Sequence, residues 1–136
     1  MTAIQPPMPI RRPREALSAL ASELLSAAGM DADKACCVAE LLLLTDMMGR
    51  HTHGLAQCAP YLLELANQRM TASGEPETIT DTGSTVVWDG DYRPGLWLMQ
   101  RALTLGFDRL QEHGVFTLAM RRSHHIGCLA ALAKQA

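Results

Sequence analysis

Two histidines two residues apart, His51 and His53, stand with Arg50 and Thr52 between Gly49 and Gly54, directly after a strongly apolar run. Imidazole is the one side chain whose unperturbed pKa, about 6.5, lets it give or take a proton near neutral pH. Acid/base chemistry is therefore expected here first. Gln57, Cys58 and Tyr61 follow within a few residues, and a second histidine group, Arg122-Ser123-His124-His125-Ile126-Gly127, comes near the end of the chain. Surface placement or capping of a backbone group is the plainer reading of a single histidine. A short connector bracketed by glycines favours function.

The elements that would position these groups can be read from periodicity. The helix arriving through Leu41-Leu42-Leu43-Leu44 should stop near Gly49, and the next should begin near Cys58 or Ala59 with Pro60 in its first turn. His51 and His53 then lie on a connector. On an extended segment, residues two apart point to the same side, so the two imidazoles could share one cleft.

Upstream, residues 1–12 are proline-rich and read as a disordered arm or one lying on a partner. Leu17, Leu20, Ala21, Leu24 and Leu25 form the buried stripe of a helix that begins at Pro13 and stops at Gly29. Asp31 can cap the next helix, which is apolar almost all round and should be the central one. A third helix covers Leu55 to Ala66, and residues 68–84 read as a long loop. Thr85-Val86-Val87-Trp88 is a strand ending at the turn Asp89-Gly90-Asp91. Leu96, Met99, Leu103 and Leu110 mark a helix closing at Gly114, and Val115 to Met120 is a second strand. Strand, helix and strand suit a βαβ crossover with parallel strands. A last helix starts near Ile126 and is still running at Ala136, so the chain looks cut. The expected organisation is α/β: an arm (1–12), a helical unit (13–70) packed on a βαβ element, and the truncated start of an α/β domain (71–136).

The composition narrows the classes of function. A chain of 136 residues with 48% hydrophobic and 19% charged residues and a net charge of −2 reads as an ordinary globular protein. Twelve basic residues against 14 acidic ones, with 4% aromatic content, do not favour nucleic acid as a partner. The apolar run from Ala35 to Met48 holds Glu40 and Asp46 and is too short to span a bilayer, so no membrane partner is expected. Cys36, Cys37, Cys58 and Cys128 have no regular spacing and read as reduced thiols, and the N-terminus lacks the apolar core of a secretory signal. A cytoplasmic protein is expected.

Thr52-His53-Gly54 followed by Pro60-Tyr61 resembles the Ser/Thr-His-Gly…Pro-x-Tyr signature of the malate/L-lactate dehydrogenase family, whose cofactor fold is not a Rossmann fold. That family includes ureidoglycolate dehydrogenase and diketogulonate reductase. Trp88-Asp89-Gly90-Asp91, Pro94-Gly95 to Ala102, and the stretch from Arg122 to Gly127 resemble three further family segments in the same order, the last being the family's Asn-Ser-x-His-Phe-Gly. The resemblance implies hydride transfer between NAD or NADP and a 2-keto or 2-hydroxy acid such as malate, lactate or ureidoglycolate. It also implies a homodimer when the protein is full length. Carried over residue by residue, it implies His53 and His125 as the catalytic pair, with His53 ahead as proton donor. Thr52, Gln57 and Tyr61 would contact substrate, with Tyr61 on the rim of the cleft. Gln57 stands where the family commonly has an arginine, which suggests a different acceptor or Arg50 in its place. Neither a Gly-x-Gly-x-x-Gly nor a Gly-Lys-Ser/Thr loop is present, so the cofactor-binding residues are not identified.

Two alternatives stay open. A metal-binding module could draw on His51, His53, Cys58, His124, His125 and Cys128, although no ligand spacing supports it. A catalytically incomplete helical interaction piece, or a degenerate paralogue, would suit the short chain and Gln57.

Overall fold

The computed structural model describes residues 11–135. The order of elements is α1 (Arg14–Ala27), α2 (Ala32–Met47), two 3-10 turns (His51–His53 and Leu55–Gln57), α3 (Cys58–Ala66), β1 (Glu77–Asp81), β2 (Thr85–Asp89), α4 (Gly95–His113), β3 (Thr117–Arg121) and α5 (Leu129–Ala133). No strand interrupts the stretch from Pro13 to Asn67, so the N-terminal part is helical as expected. The arm falls mostly on residues 1–10, outside the described residues.

α1 buries Ala21 and Leu25, one helical turn apart, against α2 and α3. Its stripe is narrower than the leucines suggest: Leu20 and Leu24 flank the seam and are 53% and 43% exposed. α2 is the central helix. Val38, Leu41, Leu42 and Leu43 are buried, and it meets α1, α4, α5 and both 3-10 turns.

Asp31 does not cap α2 with its side chain. Its carboxylate instead takes the Lys34 ammonium at 2.9 Å and the Gly74 backbone N–H at 3.1 Å. Lys34 is the reason, since only 2% of it is exposed and a buried ammonium needs a counter-charge. The same ammonium lies 4.1 Å from the centre of the Trp97 ring, which ties the start of α2 to α4.

The sheet has three strands in the order β1-β2-β3. β2 and β3 are parallel, in register from Thr85 opposite Thr117 to Asp89 opposite Arg121, and α4 connects them. β1 corrects the expected loop at 68–84. All five of its side chains are exposed, so no apolar alternation announces it, and antiparallel backbone pairing with β2 is what makes it a strand. One core runs across both parts, with Leu25, Val38, Leu42, Tyr61, Leu96, Trp97 and Leu132 among its members. A smaller cluster of Val86, Trp88 and Ala102 lies between the sheet and α4.

The final helix starts at Leu129, three residues later than Ile126. Gly127, just before it, has φ +68, outside the helical range, and a side chain there would collide with Leu96.

Candidate active site

The first histidine stretch is wound tight where an extended connector is expected. α2 ends at Met47 and the chain turns at Gly49 with φ +75. The Asp46 carboxylate, in the last turn of α2, then accepts the Leu55 backbone N–H at 2.7 Å and lies 2.9 Å from Nδ1 of His51. These two contacts draw residues 51–57 into consecutive 3-10 turns. With three residues per turn, side chains two apart diverge by two-thirds of a turn. His51 therefore goes to Asp46, while His53 bonds the Thr52 hydroxyl at 2.9 Å, and the two imidazoles do not share one cleft. Gly54 is required for space: its Cα abuts the Asp46 carboxylate, and any side chain would collide with it.

The second stretch leaves β3 at Arg121 and is held from its surroundings. Asp89, fully buried at the end of β2, receives the Arg122 guanidinium at 2.7 Å, the Arg121 guanidinium at 2.8 Å and the Asp91 N–H at 3.0 Å. The bond from Arg122 leads in holding this carboxyl down to about 2. The His124 N–H donates to the Arg93 carbonyl at 3.1 Å. The carbonyl oxygens of His124 and His125 pack against the Cα of Gly95, where a Cβ would collide with both. Only glycine lets α4 begin there.

These constraints bring His125 to His53 with ring centroids 5.9 Å apart and planes inclined by 30°. They also bring Nδ1 of His125 within 2.9 Å of the Tyr61 hydroxyl. Burial, followed by the charges of His53 and His124, holds the His125 pKa below its ordinary value. Behind Tyr61, Nε2 of His124 lies 3.5 Å from Glu64, whose carboxylate takes Arg69 through two bonds. The Arg69 bonds lead in lowering the Glu64 carboxyl to about 2. Nδ1 of His124 is buried and has no partner among the described residues.

The structure thus unites His53 and His125 and sets Thr52 beside His53. Gln57 sends its amide N–H back to the Thr52 carbonyl at 2.7 Å, closing the turn. Arg50 is exposed and pairs with no acid among the described residues. Tyr61 does not stand on the rim: with 1% exposure it lies on the inward face of α3 with Leu65, one turn on, and its hydroxyl reaches His125. Asp46 as organiser, and Glu64 with His124, are additions that the sequence reading missed. Glu64 could have been noticed three residues after Tyr61, on a neighbouring helical position.

Among the described residues, no three His, Cys, Asp or Glu side chains converge as metal ligands. A dinucleotide also finds no cradle in them. The long helix α4 would be the natural phosphate site, but its first turn is covered by the His124 and His125 carbonyls, which would repel an anion. The described residues do not fit a dinucleotide's phosphates.

The chain belongs to the malate/L-lactate dehydrogenase family, whose sequence pattern matches residues 13–136. It is 32% identical over 108 residues to an L-lactate dehydrogenase of Cupriavidus necator, covering 79% of this chain and 31% of that protein. It is 27% identical over 107 residues to hydroxycarboxylate dehydrogenase B of Escherichia coli, covering 79% and 30%. The chain thus spans about a third of the length of these curated relatives. Among solved structures, malate dehydrogenase from Pyrococcus horikoshii superposes with a TM-score of 0.89 at 24% identity, over 93% of this chain and 36% of that one. That likeness bears on the fold alone. A dehydrogenase from Sinorhizobium meliloti superposes with a TM-score of 0.86 at 29% identity, over 93% and 38%.

Proposed function

We propose that this chain is the N-terminal portion of an NAD- or NADP-dependent dehydrogenase that interconverts a 2-keto acid and a 2-hydroxy acid of the malate, lactate or ureidoglycolate kind, with His125 as the acid/base and His53 beside it. The observation that carries this reading is the meeting of His53 and His125 from distant parts of the chain, with one ring anchored on a buried hydroxyl. A reduced nicotinamide, for whose phosphates the described residues offer no cradle, would supply the hydride in such a reaction. The rest is done by the chain's own groups. As the carbonyl oxygen gains charge, a positioned imidazolium stabilises it and then releases its proton to it, ending neutral; in the oxidative direction the neutral ring takes that proton back. Nε2 of His125, the nitrogen that Tyr61 leaves free, is the atom assigned to this transfer. Orientation favours His125 over His53, because the latter is exposed and, among the described residues, its side chain is hydrogen-bonded only to the adjacent Thr52. Thr52, bonded to His53, and Gln57, bonded to the Thr52 carbonyl, are proposed to face the substrate. The same proposal has the assembled protein work as a homodimer in the cytoplasm, in keeping with four free thiols. No helix among the described residues is long and apolar enough to cross a membrane.

The test is the pH dependence of the longer parent enzyme. Because the His125 pKa lies below 6.5 in the folded protein, reduction, which needs the imidazolium, should fall as pH rises through that lowered pKa. Oxidation, which needs the neutral ring, should rise through the same value. Rates of both directions that do not change across that range, or a parent that turns over no 2-keto acid with either cofactor, would reject the reading.

A further inference from the structure

The hydroxyl of Tyr61 has one proton and two neighbours. Its oxygen lies 2.9 Å from Nδ1 of His125 and 3.3 Å from the carbonyl oxygen of the same residue. A carbonyl can only accept, and among the described residues no backbone N–H reaches this one. The Tyr61 O–H is therefore the donor that satisfies it, and leaving such a carbonyl unpaired costs about as much as a lost hydrogen bond. With that proton directed at the carbonyl, the lone pairs of the phenol oxygen face Nδ1. Nδ1 must then be an N–H. The opposite arrangement, with the hydroxyl donating to a bare Nδ1, strands the carbonyl and moves the ring proton to Nε2.

We propose that Tyr61 is a positioning residue that holds His125 in its Nδ1–H form and so leaves Nε2 as the atom that exchanges a proton. The tautomer assignment stands on the hydrogen bonds alone, whereas the use of Nε2 on substrate rests on the dehydrogenase reading above.

The surroundings allow this and little else. Tyr61 is 1% exposed, and its ring meets those of His124 and His125 edge-on at 6.0 Å each, so it cannot swing to a new partner. Burial raises its own pKa, which keeps the phenol protonated. The charged and titratable groups facing His125 are His53 from the first 3-10 turn, Tyr61 from α3, and His124 from its own segment; Glu64 and Arg69 lie behind His124. α4 meets this segment through Gly95. A phenol differs here from a carboxylate partner: it fixes the ring's proton without adding a charge that would pull the imidazole pKa upward. It is also a different role from the substrate contact that the resemblance suggests for Tyr61.

Two-bond 1H–15N correlation spectra of the uniformly 15N-labelled 136-residue chain, recorded as a pH series, test the assignment without any turnover. The expected neutral state of His125 has a protonated Nδ1 and a bare Nε2. Tyr61→Phe removes the acceptor, so neutral His125 should switch to the Nε2–H form and its titration should move down by about one pH unit. A wild-type His125 with its neutral proton on Nε2 overturns the proposal, and so does a folded Tyr61→Phe chain in which neither readout changes. If Tyr61→Phe does not fold, the wild-type spectrum decides by itself. An Nδ1–H ring in a protein whose longer parent reduces no 2-keto acid would reject the dehydrogenase reading and leave the role of Tyr61 intact.

Discussion

The two stretches that bring imidazoles together are built on opposite plans. Residues 46–57 brace themselves: Asp46 holds His51 and Leu55, and Gln57 closes back on Thr52. Residues 121–127 are held chiefly from outside, by Asp89 of β2, the Arg93 carbonyl, Gly95 of α4 and Tyr61 of α3. The self-braced stretch delivers an exposed histidine. The tethered one delivers a half-buried histidine with one nitrogen already committed. Proton transfer requires a ring held at a set angle, so the stretch with least structure of its own carries the better candidate.

If this contrast is sound, the largest effect should come from the tethered ring. In the longer parent enzyme, His125→Ala is expected to lower turnover by about 10²–10⁴-fold and His53→Ala by about 10²-fold. Steady-state kinetics of both variants checks the order, and a reversed order would return the acid/base role to His53. Next comes Gly95→Ala, which forces a methyl group against the His124 and His125 carbonyls. It should cost about 1–3 kcal/mol of stability, read by thermal or denaturant unfolding, and should displace the tethered stretch while leaving the self-braced one intact. Gly54→Ala should cost a similar amount alone, but much less in an Asp46→Ala background where the colliding carboxylate is gone. The coupling from such a cycle is expected at about 0.5–3 kcal/mol, and additive costs would show that Asp46 does not organise these turns. The smallest effect is expected from Gln57→Arg. A guanidinium at the end of the second turn should tighten binding of 2-keto carboxylates by about tenfold if it can fork onto them, measured as KM in the parent.

Much of this was legible in the residues themselves. The βαβ unit showed in two short β-branched runs around an amphipathic helix. The approach of His53 to His125 was expected from the resemblance, and the glycines at 29, 49 and 114 stand just beyond the helices they end. What was hidden depends on partners far along the chain. The winding of residues 51–57 follows from an acceptor nine residues before Leu55, which local propensity does not register. β1 has no inward side chain and shows only in backbone pairing. Lys34 reads as a solvated helix residue until Trp97 and Asp31 close over it. Tyr61 was expected on the rim of the cleft, and its inward course to His125 depends on which way α3 turns, which Pro60 before it and Leu62-Leu63 after it do not reveal.

The bond between Tyr61 and His125 spans 64 residues, and this sets a clock on synthesis. At a ribosomal rate of about 5–20 residues per second, roughly 3–13 s separate the emergence of the phenol from that of its imidazole partner. During that interval the Tyr61 hydroxyl, already carried inward on α3 beside α1, lacks the imidazole that it bonds in the finished chain. A nascent chain halted between α4 and residue 125 should therefore hold most of its helices in place around an unpaired buried phenol, and the site can form only when the last dozen residues arrive.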